Sequence, residues 1–209
     1  MSAARPQPRD WLKSRILDLV MRLNDELRAP SLELAAGEVL EVGFGTGLNL
    51  AFYPPGVKSV TGVDPLVASG FAPLEERVAR VPFCVERHAL RADGSLPFDA
   101  GRFDCVVTTW TLCSIPRPLD ALAEMRRVLK RGGSYVFVEH GRSDCVTTAR
   151  WQDRLNPLWR RLADGCNLNL AIDALVREGG FELFRLERFE HAGPRILTSM
   201  YRGAARRAD

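Results

Sequence analysis

Apolar residues recur at two periods along this chain, and the alternation between those periods lays out its architecture. Over residues 10–27, Leu12, Ile16, Leu19, Val20, Leu23 and Leu27 fall on one side of a helix, with Asp10 ahead of the first turn as a candidate N-cap. An amphipathic helix is therefore expected within residues 1–30. The run Val39-Leu40-Glu41-Val42 then ends in glycines, and a short helical stretch from Leu48 to Phe52 stops at Tyr53-Pro54-Pro55-Gly56. This is a strand, a glycine turn and a short helix.

Four further runs, 60–64, 83–86, 103–108 and 135–139, are rich in β-branched and aromatic residues and read as strands. Helical patterns separate most of them. The clearest covers 119–130, where Leu122, Met125, Val128 and Leu129 make one face and Lys130-Arg131-Gly132-Gly133 supplies a basic last turn and a glycine stop. A long helical stretch, 147–162, interrupts the alternation after the fifth strand. It precedes a helix over 172–178 and two more strand-like runs at 181–188 and 196–201. The expected fold is α/β: a doubly wound, mostly parallel seven-stranded sheet covered on both faces, with a helical insert at 145–170.

Composition narrows the picture. The 209 residues are 46% hydrophobic and 26% charged, with no repeat or Pro/Gly/Ser linker, so one domain spanning 1–209 is expected. A net charge of +3 is too small and too dispersed for a nucleic-acid binder. No apolar run approaches the ~20 residues of a membrane-spanning helix, and residues 1–10 lack the apolar core of a secretory leader. The reading is a cytoplasmic protein with no integral membrane segment. The five cysteines, Cys84, Cys105, Cys113, Cys145 and Cys166, include no C-x-x-C pair, which fits neither a disulfide framework nor a zinc ribbon. Cys84 and Cys105, in strand-like runs, are expected to be buried as small hydrophobes, whereas Cys113 and Cys166, in loop-like contexts, stay open. His88 and His191 read as surface or loop residues, and Arg202, Arg206 and Arg207 as a solvated basic tail.

The chemistry gathers around Glu41-Val42-Gly43-Phe44-Gly45-Thr46-Gly47, which follows a strand and opens a helix. Glycines permit a tight turn and close approach of a ligand to the backbone, and the amides of the following helix favour a carboxylate or phosphate. Asp64, ending the next strand about 20 residues on, can accept hydrogen bonds from both hydroxyls of a ribose. Leu48 stands where a dinucleotide fingerprint requires glycine, which disfavours NAD. An acid ahead of the glycines, Glu41, suits a ligand with positive groups. S-adenosylmethionine carries an ammonium and a sulfonium.

Over residues 35–140 the chain resembles the class I S-adenosylmethionine-dependent methyltransferases of the type 11 group. Glu41 to Gly47 is similar to their first motif, Val63-Asp64-Pro65 to their ribose-binding acid, and Ala92-Asp93 before Leu96-Pro97-Phe98 to their adenine loop. Phe103 to Thr109 is similar to their fourth strand, and residues 119–133 to the arginine-rich helix and R-G-G turn. The resemblance implies S-adenosylmethionine as cofactor, held by Glu41, Gly43, Phe44, Gly45, Gly47, Asp64, Pro65, Ala92, Asp93 and Thr109. Beyond the core, Leu112-Cys113-Ser114, Glu139-His140, Trp151-Gln152, Asn156-Pro157-Leu158-Trp159 and Asp164-Gly165-Cys166-Asn167-Leu168 resemble segments of the alkyl thiol S-methyltransferases. Those relatives carry a hydrophobic N-terminal anchor that the amphipathic helix here does not reproduce.

In the insert, Trp151, Leu155, Leu158, Trp159 and Leu162 recur at helical spacing, and Pro157 is expected to bend or break the helix. A lid with an apolar underside is one reading, and ordinary core is the other. With Trp110, Cys113, Trp151 and Trp159 lining an acceptor pocket, the expected acceptor is a small apolar thiol. The alternatives are N-methylation of a lipid amine, C- or O-methylation of a quinone-like molecule, or binding of S-adenosylmethionine without chemistry. Methyl transfer is an in-line displacement that needs no metal. A thiol must first lose a proton, for which His140 is a candidate base, with Asp164 orienting or replacing it.

Overall fold

The computed structural model describes residues 15–16, 18–65, 71–91, 94–163 and 165–208. Seven strands form one sheet: β1 (Gly37–Val42), β2 (Val57–Asp64), β3 (Cys84–Ala89), β4 (Phe103–Thr109), β5 (Leu129–His140), β6 (Phe181–Glu190) and β7 (Ser199–Arg207). Their order is β3-β2-β1-β4-β5-β7-β6. The first five are parallel, and β7 runs antiparallel to both β5 and β6. The order reverses direction between β1 and β4, so a crevice opens beyond their carboxyl ends, as open α/β sheets require. The doubly wound, mostly parallel sheet expected from the sequence is present.

Strand alternation fills two apolar layers. Leu40, Val42, Val106, Tyr135 and Phe137 join Leu122, Met125 and Val128 of helix α3 (Pro118–Val128) and Ile172 and Val176 of α5 (Ile172–Glu178). On the other face Val39, Val60, Cys105, Val107 and Val136 meet Leu32 of α1 (Asp25–Leu32), Leu50 of a 3-10 turn (Leu48–Phe52) and Leu74 of α2 (Ala72–Arg80). The central strands are buried on both faces, which explains their near-continuous apolar runs.

Several elements depart from expectation. The N-terminal helix is two pieces, since helical residues 18–22 turn at Leu23 and Asn24 before α1 begins; Asp10 and Leu12 lie outside the described residues. Helix α3 ends at Val128 and strand pairing already begins at Leu129, so Lys130-Arg131-Gly132-Gly133 belongs to β5. Cys84 is exposed because β3 is an edge strand, and His88 lies in that strand with its ring edge-on to Phe98 at 5.1 Å. The final strand starts at Ser199 and takes in the expected basic tail. Arg202 pairs with Glu187, Arg206 stacks over Phe184, and Arg207 donates to the Leu129 carbonyl at 2.7 Å.

The insert folds as one long helix, α4 (Val146–Leu162), continuous through Pro157. Pro157 and Asp153, whose carbonyl the ring deprives of a partner, are both exposed, so water can satisfy the gap. The helix faces the opposite way from the expected lid. Gln152, 1% exposed, accepts from Ser143 N at 2.8 Å and donates to the carbonyls of Gly141 (3.0 Å) and Ile196 (3.2 Å). Trp151, Leu155, Leu158 and Leu162 point outward instead. Three backbone groups, two just past β5 and one ahead of β7, need partners, and a glutamine on the inner face meets all of them.

Candidate active site

A cavity of about 880 Å³ opens at the carboxyl ends of β1, β2 and β4, within the size range of small-molecule sites. Its floor is the glycine loop. Gly43, Gly45 and Gly47 take φ of 82°, 53° and 72°, the left-handed region that side chains disfavour. A Cβ at Gly43 would overlap the Thr111 side chain, and one at Gly47 would come 2.7 Å from Leu74 Cδ1. Gly45 differs, because a Cβ there would meet only the Gly43 carbonyl, at 4.0 Å. Its open side is therefore available to a ligand. Phe44 packs its ring against Gly62, and Asp64 Oδ2 accepts the Gly45 N–H at 2.9 Å, which couples the end of β2 to the loop.

Behind the loop lies a buried polar network. Glu41, 1% exposed, accepts from Asn49 Nδ2 at 2.8 Å and from the Tyr53 hydroxyl at 2.7 Å. Burial pushes its carboxyl up to about 7, against the lowering effect of those two hydrogen bonds. Asn49 also donates to Thr109 Oγ1 at 2.9 Å and accepts from Arg28 Nη1 at 2.6 Å. Arg28 is itself buried, donating to Asp25 Oδ1 (2.9 Å) and the Met21 carbonyl (3.1 Å), with its guanidinium 5.0 Å from the Trp110 ring centre. Trp110 sits at φ 50°, a rare backbone state for a bulky residue, and its N–H donates to the Val138 carbonyl at 2.8 Å. That turn swings the indole to the cavity.

The N-terminal segment closes one side. Asp18 accepts from Thr46 Oγ1 at 2.6 Å and from Arg77 Nη1 and Nη2 at 2.7 and 3.0 Å. Burial alone would raise its carboxyl, but these donors hold it below the usual range. Across the cavity, Arg127 donates to the carbonyls of Phe98 (2.7 Å) and Leu96 (3.0 Å) while Glu124 accepts from Leu96 N at 2.9 Å, so α3 fixes the wall at 94–98.

Of the residues singled out in the sequence, Glu41, Gly43, Phe44, Gly45, Asp64, Pro65, Thr109 and Trp110 border the cavity. Gly47 does not, and serves the turn. Ala92, Asp93 and Asp164 lie outside the described residues. His140, Cys113, Trp151 and Trp159 are not on the cavity wall either. His140 Nε2 faces the Leu197 carbonyl at 2.8 Å and its Nδ1 lies 3.5 Å from Cys166 Sγ, which in turn is 3.6 Å from Cys113 Sγ. The cavity is covered by Asp18, Met21 and Arg28 of the N-terminal segment rather than by the insert. Sequence reasoning missed Asp18, Arg28, Asn49 and Tyr53. An arginine on the polar side of a predicted helix carries no mark of burial, and Tyr53 read only as part of a proline stop.

An open glycine, a buried carboxylate for cationic groups and an acid at the end of β2 form a cradle that fits S-adenosylmethionine. Residues 40–137 match the family model described as a methyltransferase domain. The chain is 35% identical over 167 residues to the thiol S-methyltransferase TMT1A of Homo sapiens, covering 79% of this chain and 67% of the relative. It is 33% identical over 200 residues to TMT1B of Rattus norvegicus, covering 89% and 78%. Among solved structures, a geranyl diphosphate methyltransferase in complex with S-adenosylmethionine superposes with a TM-score of 0.66 at 14% identity, over 99% of this chain and 93% of that one. At that identity the likeness speaks for the fold, while the sequence relatives speak for the family. Among the described residues no helix is long and apolar enough to cross a membrane. The chain belongs to the class I S-adenosylmethionine-dependent methyltransferases and is an enzyme that uses S-adenosylmethionine to methylate a small-molecule acceptor.

Proposed function

We propose that this methyltransferase acts on the sulfur of a small apolar thiol, with residues 1–209 working as one domain. The observation that carries the reading is the extent of likeness to the thiol S-methyltransferases. It spans 89% of the chain for TMT1B, well beyond the 40–137 core that all such enzymes need for the cofactor. The cavity wall agrees, since Met21, Leu48, Trp110, Ile115 and Met125 offer apolar surface to an acceptor. When bound, S-adenosylmethionine supplies a methyl carbon made electrophilic by its sulfonium. Glu41 would face the cationic groups of that cofactor, Asp64 would accept from its ribose hydroxyls, Gly43 and Gly45 would let the backbone approach it, and Pro65 and Thr109 would flank it. Ala92 and Asp93 keep the adenine role implied by family resemblance. Trp110 excludes water from the acceptor, and the Arg28 cation behind its ring favours the thiolate form. The acceptor sulfur releases its proton to solvent and forms the new S–C bond as the donor C–S bond breaks, leaving S-adenosylhomocysteine and a thioether.

The test is transfer of label from methyl-labelled cofactor to an alkyl thiol, to vesicles containing phosphatidylethanolamine, and to a quinol. Labelled thioether is the expected product. Label in the amine or the quinol, with none in the thiol, would overturn the acceptor class.

Glu41 gives this reading a second handle. A carboxyl raised to about 7 is largely protonated at pH 6, and ionises when a cationic ligand arrives. Binding of S-adenosylmethionine should then release a proton below about pH 7, and affinity should climb from pH 6 toward pH 8. For the free protein the sign is opposite: a folded carboxyl raised above its unfolded value contributes stability that is lost as pH rises from the ordinary carboxylate range through about 7. Calorimetry in buffers of different ionisation heat reads the proton. Identical heats in those buffers at pH 6 would contradict it, and Glu41→Gln should abolish the linkage.

A further inference from the structure

Away from the cavity wall, three segments converge on a group of sulfur and nitrogen atoms that the proposed methyl transfer leaves unused. Cys113 sits in the 3-10 turn after β4 (Leu112–Ser114), His140 ends β5, and Cys166 follows α4. Their ligand atoms, Sγ, Nδ1 and Sγ, all lie within 4.8 Å of one another. We propose that Cys113, His140 and Cys166 form a binding site for one Zn²⁺ ion, which ties the segment following α4 to the turn that borders the cofactor cavity.

The two spacings from Cys166 Sγ are those between corners of a coordination tetrahedron, and the third pair lies within 4.8 Å. With Zn–S of about 2.3 Å and Zn–N of about 2.0–2.1 Å, tetrahedral angles separate two sulfurs by roughly 3.8 Å and a sulfur from a nitrogen by roughly 3.6 Å. Cys113 Sγ and Cys166 Sγ are 3.6 Å apart, and Cys166 Sγ and His140 Nδ1 are 3.5 Å apart. The histidine is oriented for the purpose. A carbonyl can only accept, so Nε2 carries the hydrogen that it donates to Leu197 O at 2.8 Å, which leaves the Nδ1 lone pair directed at the sulfurs. A backbone acceptor on the far nitrogen is the usual way a ligating imidazole is fixed.

The other ligands are equally well held. Glu139 Oε2 accepts the Cys113 N–H at 3.3 Å, and the Cys113 carbonyl accepts from Asn167 N at 2.8 Å and Asn167 Nδ2 at 2.9 Å. Cys113 is thus positioned from both sides, by the strand end and by the segment after α4, and the Cys166 N–H donates to the Ala163 carbonyl at 2.9 Å. Two thiolates and an imidazole are a donor set of Zn²⁺ preference, and three protein ligands leave a fourth corner for water or the neighbouring Ser114 hydroxyl, 3.7 Å from Cys113 Sγ. Binding displaces the two thiol protons to solvent. Thr111, Ser114 and Ile115 of the same turn border the cavity, so the ion would brace one cavity wall without entering it.

The test uses the full chain, stripped with a chelator under a thiol-free reductant and titrated with Co²⁺. The expected result is one Co²⁺ per chain, with the near-ultraviolet sulfur-to-metal band and visible bands of a tetrahedral thiolate site, all erased by one equivalent of Zn²⁺. Cys166→Ser and Cys113→Ser should each weaken binding by about 100-fold or more, beyond the 10- to 100-fold typical of losing an outer partner. Retained S-adenosylmethionine binding would report that each variant is folded. X-ray absorption of the Zn²⁺-loaded wild type should show sulfur at about 2.3 Å and nitrogen at about 2.0–2.1 Å. Absence of the charge-transfer band in the reduced wild type, or an unaltered band in a folded Cys166→Ser variant, would overturn the site. Intact mass lower by two hydrogens without bound metal, reporting a Cys113–Cys166 disulfide that persists under reductant, would overturn it as well.

Discussion

Asp64→Ala should weaken S-adenosylmethionine binding by about 1.5 to 3 kcal/mol, roughly 10- to 150-fold, while the protein still folds. The carboxylate lies at the end of β2 on the cavity wall, where a ribose would offer two hydroxyl donors to a charged acceptor. Because Asp64 Oδ2 also accepts the Gly45 N–H, the alanine variant loosens the glycine loop too. Asp64→Asn separates the two contributions. Its amide oxygen still receives Gly45 N–H, so its deficit measures the lost charge and the lost second acceptor without the loosened loop, and should be the smaller. Titration calorimetry gives both affinities and a thermal melt gives the fold. Wild-type affinity in a folded Asp64→Ala protein would remove the ribose assignment.

Glu139→Ala should be the more damaging change to the protein itself, lowering stability by about 3 kcal/mol or more and the melting temperature by roughly 6–12 °C. Glu139 is fully buried at the end of β5, and its carboxylate gathers the N–H groups of Thr111 (3.2 Å), Leu112 (3.0 Å) and Cys113 (3.3 Å). Truncation strands three donors in the core, each with a desolvation cost. The turn they build carries Thr111 and Ser114 on the cavity side and Cys113 on the other, so cofactor affinity should fall along with stability. Glu139→Gln keeps one good acceptor and should lie between wild type and alanine. Denaturant unfolding that finds Glu139→Ala within about 0.5 kcal/mol of wild type would contradict this account.

What could be read in advance divides by the range of the interactions involved. The glycine loop and Asp64 were legible because their placement rests on backbone: a turn that needs φ above zero, and an acid at a fixed place on the next strand. Arg28 was not, because its burial comes from Asn49 and Trp110, distant in sequence and brought to it only by the sheet. Helix α4 was legible as a helix and misread in orientation. The usual inference puts the apolar stripe inside, yet an exposed apolar residue is commonplace and a buried polar one is the informative case. Here Gln152 answers three backbone groups at the sheet's end and takes the inner face, while Trp151, Leu155, Leu158 and Leu162 lie outside. The arginines of β7 read as a tail in the sequence because charge hides a strand whose partners, Glu187, Phe184 and Leu129, come from elsewhere.

The place of β7 between β5 and β6 bears on how the polypeptide is born. Translation completes β5 at His140 well before Ser199 emerges, and at ~5–20 residues per second that gap lasts on the order of seconds. During it the parallel half of the sheet can pair, but β5 keeps an open edge with Tyr135, Val136, Phe137 and Val138 unmatched on one side. Strand β6, synthesised first, cannot close that edge without occupying a position that belongs to β7. The nascent chain therefore passes through an interval in which the apolar run Tyr135–Val138 is a sticky template, and a chaperone that shields β5 until the β6–β7 hairpin arrives should raise the yield of native protein.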